Sequence, residues 1–154
     1  MKASRVMTKT VQCIKPDATL EHAWDLMQQR RVRHLPVLWG DKVAGILSDR
    51  DLLSVASRGV GGELVFPTGT VADAMTTRPF TALPTATVST LARLMLDAHI
   101  DSIPIVNKDD TLVGLVTSAD LLELLTEPDQ VSDVLPFSFA LRRPDEVMAV
   151  ETRA

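Results

Sequence analysis

Hydrophobic and polar residues follow one another along this chain with the periods of helices and strands. Two stretches carry apolar residues about three and four positions apart, which predicts helices with one buried face. These apolar residues are Leu20, Ala23, Trp24 and Met27 in the first stretch, and Val88, Leu91, Leu94 and Met95 in the second. Thr19 and Thr87 precede the two stretches and are expected to cap the helices, because a side-chain oxygen there can accept a free backbone N–H.

Short apolar runs on either side of a polar turn predict pairs of strands. Two such runs follow each predicted helix, and the short turn between them predicts antiparallel pairing. The runs are residues 35–39 and 43–48 in the first half of the chain, and 103–106 and 112–117 in the second. A β-like stretch before each helix and a second helix after each pair complete the pattern, at residues 11–16, 80–84, 49–57 and 118–126.

The two halves are copies of one β-α-β-β-α unit. At an offset of 68 residues Pro16-Asp17-Ala18-Thr19 matches Pro84-Thr85-Ala86-Thr87, and Leu35-Pro36-Val37 matches Ile103-Pro104-Ile105. A unit of about sixty residues buries too little surface to be stable alone, so we expect an α+β fold in which the two repeats pack through their sheets. The predicted boundaries are 1–58 for the first repeat, 59–70 for a glycine-rich linker, 71–127 for the second repeat and 128–154 for a C-terminal tail.

Composition and charge narrow the possible functions. The chain has 154 residues, 45% of them hydrophobic, and a net charge of −4. Nucleic acids and anionic membranes attract basic surfaces, so neither is an expected partner. Cys13 is the only cysteine, which excludes an internal disulfide. The sequence shows neither a signal peptide nor an apolar run of the roughly 20 residues that cross a bilayer, and we expect a cytoplasmic protein.

One polar motif occurs twice, each time where a predicted strand passes into a helix. It reads Gly45-x-x-Ser48-x-x-Asp51 in the first repeat and Gly114-x-x-Thr117-x-x-Asp120 in the second. Free backbone N–H groups at such a corner attract anions, the hydroxyl can contact a phosphate, and the carboxylate can accept two hydrogen bonds from a ribose. The alternative is structural, since Ser or Thr followed three residues later by an acid also forms a capping box.

With this motif, both halves resemble the CBS domain, over residues 6–53 and 74–122. The resemblance lies in the apolar-apolar-Pro-apolar strand and the Gly-x-x-Ser/Thr-x-x-Asp turn, which both copies contain. It implies a standalone pair of repeats, often a homodimer, with two clefts that bind AMP, ADP, ATP or S-adenosylmethionine. Such a pair regulates another protein, whose identity the sequence does not give.

The resemblance also assigns residues to the clefts. We call the cleft of Ser48 and Asp51 the first cleft, and that of Thr117 and Asp120 the second cleft. Each aspartate would hold a ribose, each hydroxyl would contact phosphate or ribose, and Arg50 is a further candidate for the phosphate. Residues that precede the prolines of the opposite repeat would complete the clefts, namely Gln12, Cys13, Phe80, Thr81, Arg33, His34, Leu35, Asp101, Ser102 and Ile103.

The two clefts are expected to differ in charge. Arg33 and His34 stand in the first repeat where Asp101 and Ser102 stand in the second, and phosphate is attracted by an arginine and repelled by a carboxylate. We predict that the second cleft, completed by Arg33 and His34, binds phosphate-bearing ligands more tightly. The alternative is that Arg33 serves the first cleft.

Three classes of function remain in competition. The first is an adenine-nucleotide sensor, with a sensor of S-adenosylmethionine as its variant. The second is a protein-interaction module whose clefts stay empty. An enzyme has the least support, because the sequence contains no nucleophile elbow, and no metal site is predicted because the three histidines lack the spacing of metal ligands.

Overall fold

The structure is a computed structural model that describes residues 1–126. Residues 1–122 form one compact unit, and residues 123–154 are assigned to a second. The helices are α1 (Ala3–Val6), α2 (Leu20–Arg30), α3 (Asp49–Val55), α4 (Val71–Ala74), α5 (Val88–Ala98) and α6 (Ser118–Glu123), followed by a 3₁₀ turn (Leu124–Thr126). The strands are β1 (His34–Trp39), β2 (Lys42–Ser48), β3 (Ser57–Arg58), β4 (Leu64–Val65), β5 (Thr76–Thr77), β6 (Ser102–Val106) and β7 (Leu112–Thr117). The predicted C-terminal tail lies outside the described residues.

The long helices α2 and α5 form where the apolar spacing predicts them. Thr19 and Thr87 cap them, accepting the N–H groups of His22 and Thr90 at 3.1 Å each. Both helices end on a left-handed residue that is not glycine, with φ of 52° at Arg31 and 54° at His99. Such a residue reverses the chain direction at a helix end, and here it leads each helix into the next strand.

The predicted hairpins are confirmed, with one difference in the segments that come before them. Strands β1 and β2 are antiparallel, as are β6 and β7, and each pair contains one irregularity in register. The β-like stretches at residues 11–16 and 80–84 pair with the sheets through a single parallel bridge each, Ile14 to Val37 and Ala82 to Ile105. The proline at the end of each segment has no N–H to extend the ladder.

Two hydrophobic cores form, one for each repeat, and they exchange their leading segments. Val71 of α4, at the start of the second repeat, is buried in the first core, and β5 extends the first sheet beside β2. Reciprocally, Ala3 of α1 is buried in the second core, and Thr8 forms a bridge with Leu115 of β7. The exchange makes each repeat depend on the other for part of its core.

The predicted glycine-rich linker has structure of its own. Strand β3 lies just before the linker and pairs with β4 inside it as a short antiparallel hairpin. Phe66 follows the hairpin, is only 8% exposed and belongs to the first core. Its ring lies 5.9 Å from that of Trp24 on α2, centroid to centroid. The segment is therefore a packed connection between the repeats.

Among the described residues, no helix is long and apolar enough to cross a membrane.

Candidate functional site

Both polar motifs stand at the corner between a strand and a helix. Ser48 ends β2 and caps α3, and Asp51 lies in the first turn of that helix. The Ser48 N–H and hydroxyl donate to Asp51 Oδ2 at 2.7 and 2.8 Å, while the Asp51 N–H donates to the Ser48 hydroxyl at 3.1 Å. Thr117 and Asp120 repeat the arrangement at 2.6, 2.8 and 3.3 Å. The structural alternative, a capping box, is thus present in both repeats.

The capping box leaves one oxygen of each carboxylate free. Each carboxylate accepts its two hydrogen bonds through Oδ2, and among the described residues none donates to Oδ1 of Asp51 or of Asp120. Both carboxylates are half-buried. Capping and ligand binding are therefore compatible, because one oxygen holds the corner in place while the other is left to accept a donor from a ligand.

The first cleft has a volume of about 310 Å³ and opens between the two repeats. Asp51 and Ser48 form one wall, and the chain around Phe80 forms another. The loop from α5 to β6 closes the side contributed by the second repeat. Its lining residues are Arg33, His34, Ile46, Ser48, Asp49, Arg50, Asp51, Thr76, Arg78, Pro79, Phe80, His99, Ile100, Asp101 and Ser102.

The second cleft is the counterpart of the first and has a volume of about 390 Å³. Thr117 and Asp120 form one wall, and the N-terminal segment around Thr10 forms another. The loop from α2 to β1 contributes the side from the first repeat. Its lining residues are Thr8, Thr10, Val11, Gln12, Arg31, Val32, Arg33, His34, Arg50, Asp101, Leu115, Thr117, Ser118, Ala119 and Asp120.

Most of the residues assigned from the resemblance lie at these clefts. Ser48, Asp51, Phe80, Asp101 and Ser102 line the first cleft. The second cleft is lined by Gln12, Thr117 and Asp120, and again by Asp101. Like Asp101, three further assigned residues line both clefts, namely Arg33, His34 and Arg50.

Four of the assigned residues do not line either cleft. Leu35 and Ile103 are fully buried in the two cores, because successive residues of a strand point to opposite faces and the residue before each of them already faces the clefts. Cys13 instead lines a surface groove with Leu38 and Gly40, where burial raises the pKa of its thiol. Thr81 is exposed and follows Phe80 on the opposite side of an extended segment.

Several lining residues were missed, although the repeat contains the signal that would have found them. Thr8 and Thr10 line the second cleft, two and four positions before the assigned Gln12. Their counterparts at the offset of 68, Thr76 and Arg78, line the first cleft together with the assigned Phe80. In the same way, Arg31 and His99 are the left-handed residues at the ends of α2 and α5, and each lines one cleft. Equivalent positions in the two copies thus face equivalent clefts.

The charges of the site are partly paired. Arg33 Nε lies 3.0 Å from Asp49 Oδ2, and Arg50 Nη1 lies 3.2 Å from Asp101 Oδ2. His34 stands between these carboxylates. Burial, which disfavours the charged imidazole, lowers the pKa of His34, and nearby Asp49 and Asp101 oppose the shift without reversing it. Among residues 1–126 no three His, Cys, Asp or Glu side chains are grouped so that they could hold a metal ion.

The fold and the paired clefts define a module of two repeats with two equivalent clefts between them. The sequence profile of the CBS domain matches residues 3–58 and 71–127. This chain belongs to the CBS domain family and contains a tandem pair of the domain. The CBS domain-containing protein YhcV of Bacillus subtilis is 31% identical over 116 residues, which is 75% of this chain and 79% of that protein.

Other relatives are longer proteins with a matching part. The inosine-5'-monophosphate dehydrogenase of Korarchaeum cryptofilum is 29% identical over 86% of this chain, and the match spans only 26% of that protein. Two solved structures share the fold. CBSX2 of Arabidopsis thaliana in complex with AMP has a TM-score of 0.68 and 24% identity, covering 80% of this chain and 94% of that one. The CBS pair of MJ0100, in complex with 5'-methylthioadenosine and S-adenosylmethionine, has a TM-score of 0.70 and 21% identity, covering 81% and 99%.

Proposed function

We propose that this CBS pair is a regulatory module that binds an adenine nucleotide, AMP, ADP or ATP, in its two clefts. The observation that carries the proposal is the free Oδ1 of Asp51 and of Asp120, each at the wall of a cleft between the repeats. A carboxylate oxygen held in this way is a strong acceptor for the two hydroxyls of a ribose. The complex of CBSX2 with AMP supports the choice of ligand class.

The remaining groups of each cleft suit the other parts of a nucleotide. In the first cleft the ring of Phe80, 54% exposed, offers a face on which a base can stack. In the second cleft the hydroxyls of Thr8 and Thr10 and the guanidinium of Arg31 offer donors to a phosphate. The module would signal to its regulated protein only if the bound and free forms differ in shape or assembly.

We expect phosphate-bearing ligands to bind more tightly in the second cleft. Three arginines line each cleft, and the two clefts share Arg33 and Arg50. The carboxylates differ, since Asp49, Asp51 and Asp101 line the first cleft, whereas only Asp101 and Asp120 line the second. A second cleft with fewer carboxylates repels a phosphate less.

Three finer parts of the proposal depend on the family. A homodimer, a cytoplasmic location and an unidentified regulated protein are all proposed from the resemblance to other CBS pairs. A sensor of S-adenosylmethionine is the second candidate, because the CBS pair of MJ0100 was solved with that ligand. A catalytic role is not proposed for this pair. The relatives that are enzymes match it over only about a quarter of their length.

Thermal unfolding in the presence of AMP, ADP, ATP, NAD and S-adenosylmethionine tests the proposal. A ligand at a hundredfold excess over its Kd stabilises the folded state by about 2.7 kcal/mol, which raises Tm by several degrees for a chain of this size. The proposal is supported if a nucleotide raises the Tm of the parent protein and no longer raises the Tm of the Asp51→Asn/Asp120→Asn variant. If millimolar concentrations of all five compounds leave Tm unchanged, the clefts are not nucleotide sites and an interaction module is the better account.

A further inference from the structure

Two arginines belong to both clefts at once. Arg33 and Arg50 line the first cleft and also the second, and both side chains are well exposed, at 66% and 73%. Each is held by one carboxylate, Arg33 by Asp49 and Arg50 by Asp101. The two ion pairs together, which we call the shared charge cluster, stand between the two clefts.

The shared charge cluster exists because the two repeats differ at the positions concerned. The backbone is symmetric there, since the N–H of Asp49 donates to the carbonyl of Arg33 and the N–H of Ser118 donates to the carbonyl of Asp101. The side chains are not symmetric, because Ala119 is the second-repeat counterpart of Arg50. The second repeat therefore supplies no equivalent pair of cations, and the two clefts must use the same two arginines.

We propose that the two clefts are negatively coupled through the shared charge cluster, so that an anionic ligand in one weakens the binding of an anionic ligand in the other. This inference depends on the proposed function, because it concerns ligands of the same two clefts. When Arg33 turns to a phosphate in the second cleft, it leaves Asp49, whose carboxylate then stands uncompensated in the first cleft. A second phosphate entering the first cleft meets that carboxylate and one fewer cation.

The coupling depends on the charge of the ligand. Adenosine carries no phosphate, so it does not draw Arg33 from Asp49 or Arg50 from Asp101, and two adenosine molecules should bind independently. Because coupling is reciprocal, the effect is the same whichever cleft fills first. Exposed ion pairs interact weakly, so we expect a coupling near or just below the lower end of the usual range for coupled sites, about a threefold to tenfold loss of affinity.

Isothermal titration calorimetry with ADP measures this coupling in the full-length protein. Asp51→Asn weakens the first cleft and Asp120→Asn the second, each by roughly tenfold or more, so the two variants give the affinity of each intact cleft while the other is largely empty. In the parent protein the second ADP is expected to bind about threefold to tenfold more weakly than it binds in the matching single-cleft variant. Adenosine is expected to bind the intact cleft of each variant with the affinity that the same cleft has in the parent protein.

A matched pair of double variants isolates the arginine. Arg33→Gln/Asp49→Asn removes one ion pair of the cluster without changing the net charge, and it should reduce the coupling between ADP sites. Arg93→Gln/Asp97→Asn removes an exposed ion pair on α5 that lines neither cleft, and it should leave the coupling unchanged.

The outcomes distinguish this inference from the proposed function. Two ADP molecules that bind with the affinities of the single-cleft variants would overturn the coupling and leave the nucleotide module intact. Equal coupling for adenosine, or coupling that survives in Arg33→Gln/Asp49→Asn, would overturn the role of the charge cluster. If ADP and the other adenine nucleotides bind neither cleft in the parent protein, both the proposed function and the coupling are overturned.

Discussion

Gly45 lies directly against Met75, a residue of the other repeat. A Cβ on Gly45 would be 2.6 Å from the Met75 sulfur and 2.8 Å from the carbonyl oxygen of Thr76. Gly114 has the same relationship to Met7, whose sulfur would lie 2.6 Å away, with the carbonyl oxygen of Thr8 at 3.1 Å. The glycine that opens each polar motif therefore makes room for the exchanged leading segment, and its role does not require a ligand.

We predict that Gly114→Ala lowers the free energy of unfolding by about 1–3 kcal/mol, the usual cost of overpacking. Urea denaturation measures the change. Met7→Ala in the same chain should restore most of the loss, because the closest contact is with a flexible side chain. For Gly45→Ala the restoration by Met75→Ala should be smaller, since the Thr76 carbonyl remains at 2.8 Å. Gly61→Ala is the control, because its new methyl would meet only the end of the Glu63 side chain; an equal loss there would contradict the account.

Phe66→Ala should show that the connection between the repeats is part of the first core. Removing a buried phenylalanine costs about 3–5 kcal/mol, and this one also contacts Trp24. Val60→Ala, in the same connection but fully exposed, is expected to change the free energy of unfolding by less than about 0.5 kcal/mol. Chemical denaturation of both variants makes the comparison. If Phe66→Ala changes the free energy of unfolding no more than Val60→Ala does, the segment links the repeats without contributing to the first core.

The stability of the protein should fall as the pH drops below about 6.5, in part because of His34. Burial lowers the pKa of His34 in the folded state, so the unfolded chain takes up this proton at a higher pH than the folded one does. The contribution to stability is complete above the pKa of the unfolded chain and is lost as the pH falls toward the pKa of the folded state. Measured between pH 7.5 and 5.5, the free energy of unfolding of His34→Gln should depend less on pH than that of the parent. If the free energy of unfolding changes with pH equally in the variant and in the parent, His34 makes no such contribution.

The two clefts should respond unequally to equivalent substitutions. Asp51→Asn and Asp120→Asn keep an oxygen for the capping box and remove the charged acceptor for a ribose. A hydrogen bond to a charged group contributes about 1.5–3 kcal/mol, so each substitution should weaken its own cleft roughly tenfold or more. Because the second cleft is expected to bind ADP more tightly, Asp120→Asn should remove the tighter of the two sites in calorimetry. If the site that remains in Asp51→Asn and the site that remains in Asp120→Asn bind ADP with equal affinity, the asymmetry is contradicted.

The repeat made much of the fold predictable. Apolar spacing located α2 and α5. The offset of 68 residues, which becomes 69 after one extra residue in the second hairpin turn, paired the hairpins and the two polar motifs. The exchange of α1 and α4 was not predictable in this way, because Ala3 and Val71 would satisfy the local pattern in either core. Which core an apolar face joins is decided by tertiary packing.

The sequence predicted the site residues that lie close together at one strand-to-helix corner. It was less informative where burial depends on which face of a strand a residue occupies. Ser48 and Asp51 are joined by the local geometry of a capping box, which the spacing alone indicates. Leu35 differs from His34 only by one strand position, yet one is buried in the core and the other faces the clefts. The ion pair of Arg50 with Asp101 joins residues 51 positions apart, so no local sequence pattern predicts it.

The proposed nucleotide sites depend on Asp51 and Asp120, each of which presents to the ligand a carboxylate oxygen that no described residue contacts. Isothermal titration calorimetry of the Asp51→Asn/Asp120→Asn variant with ADP tests this directly, once its circular dichroism and Tm show that it folds like the parent. We predict saturable binding of ADP to the parent protein and a loss of at least tenfold in affinity at both clefts of the variant. Binding of ADP with undiminished affinity by the folded variant, or no binding by the parent, would contradict the account.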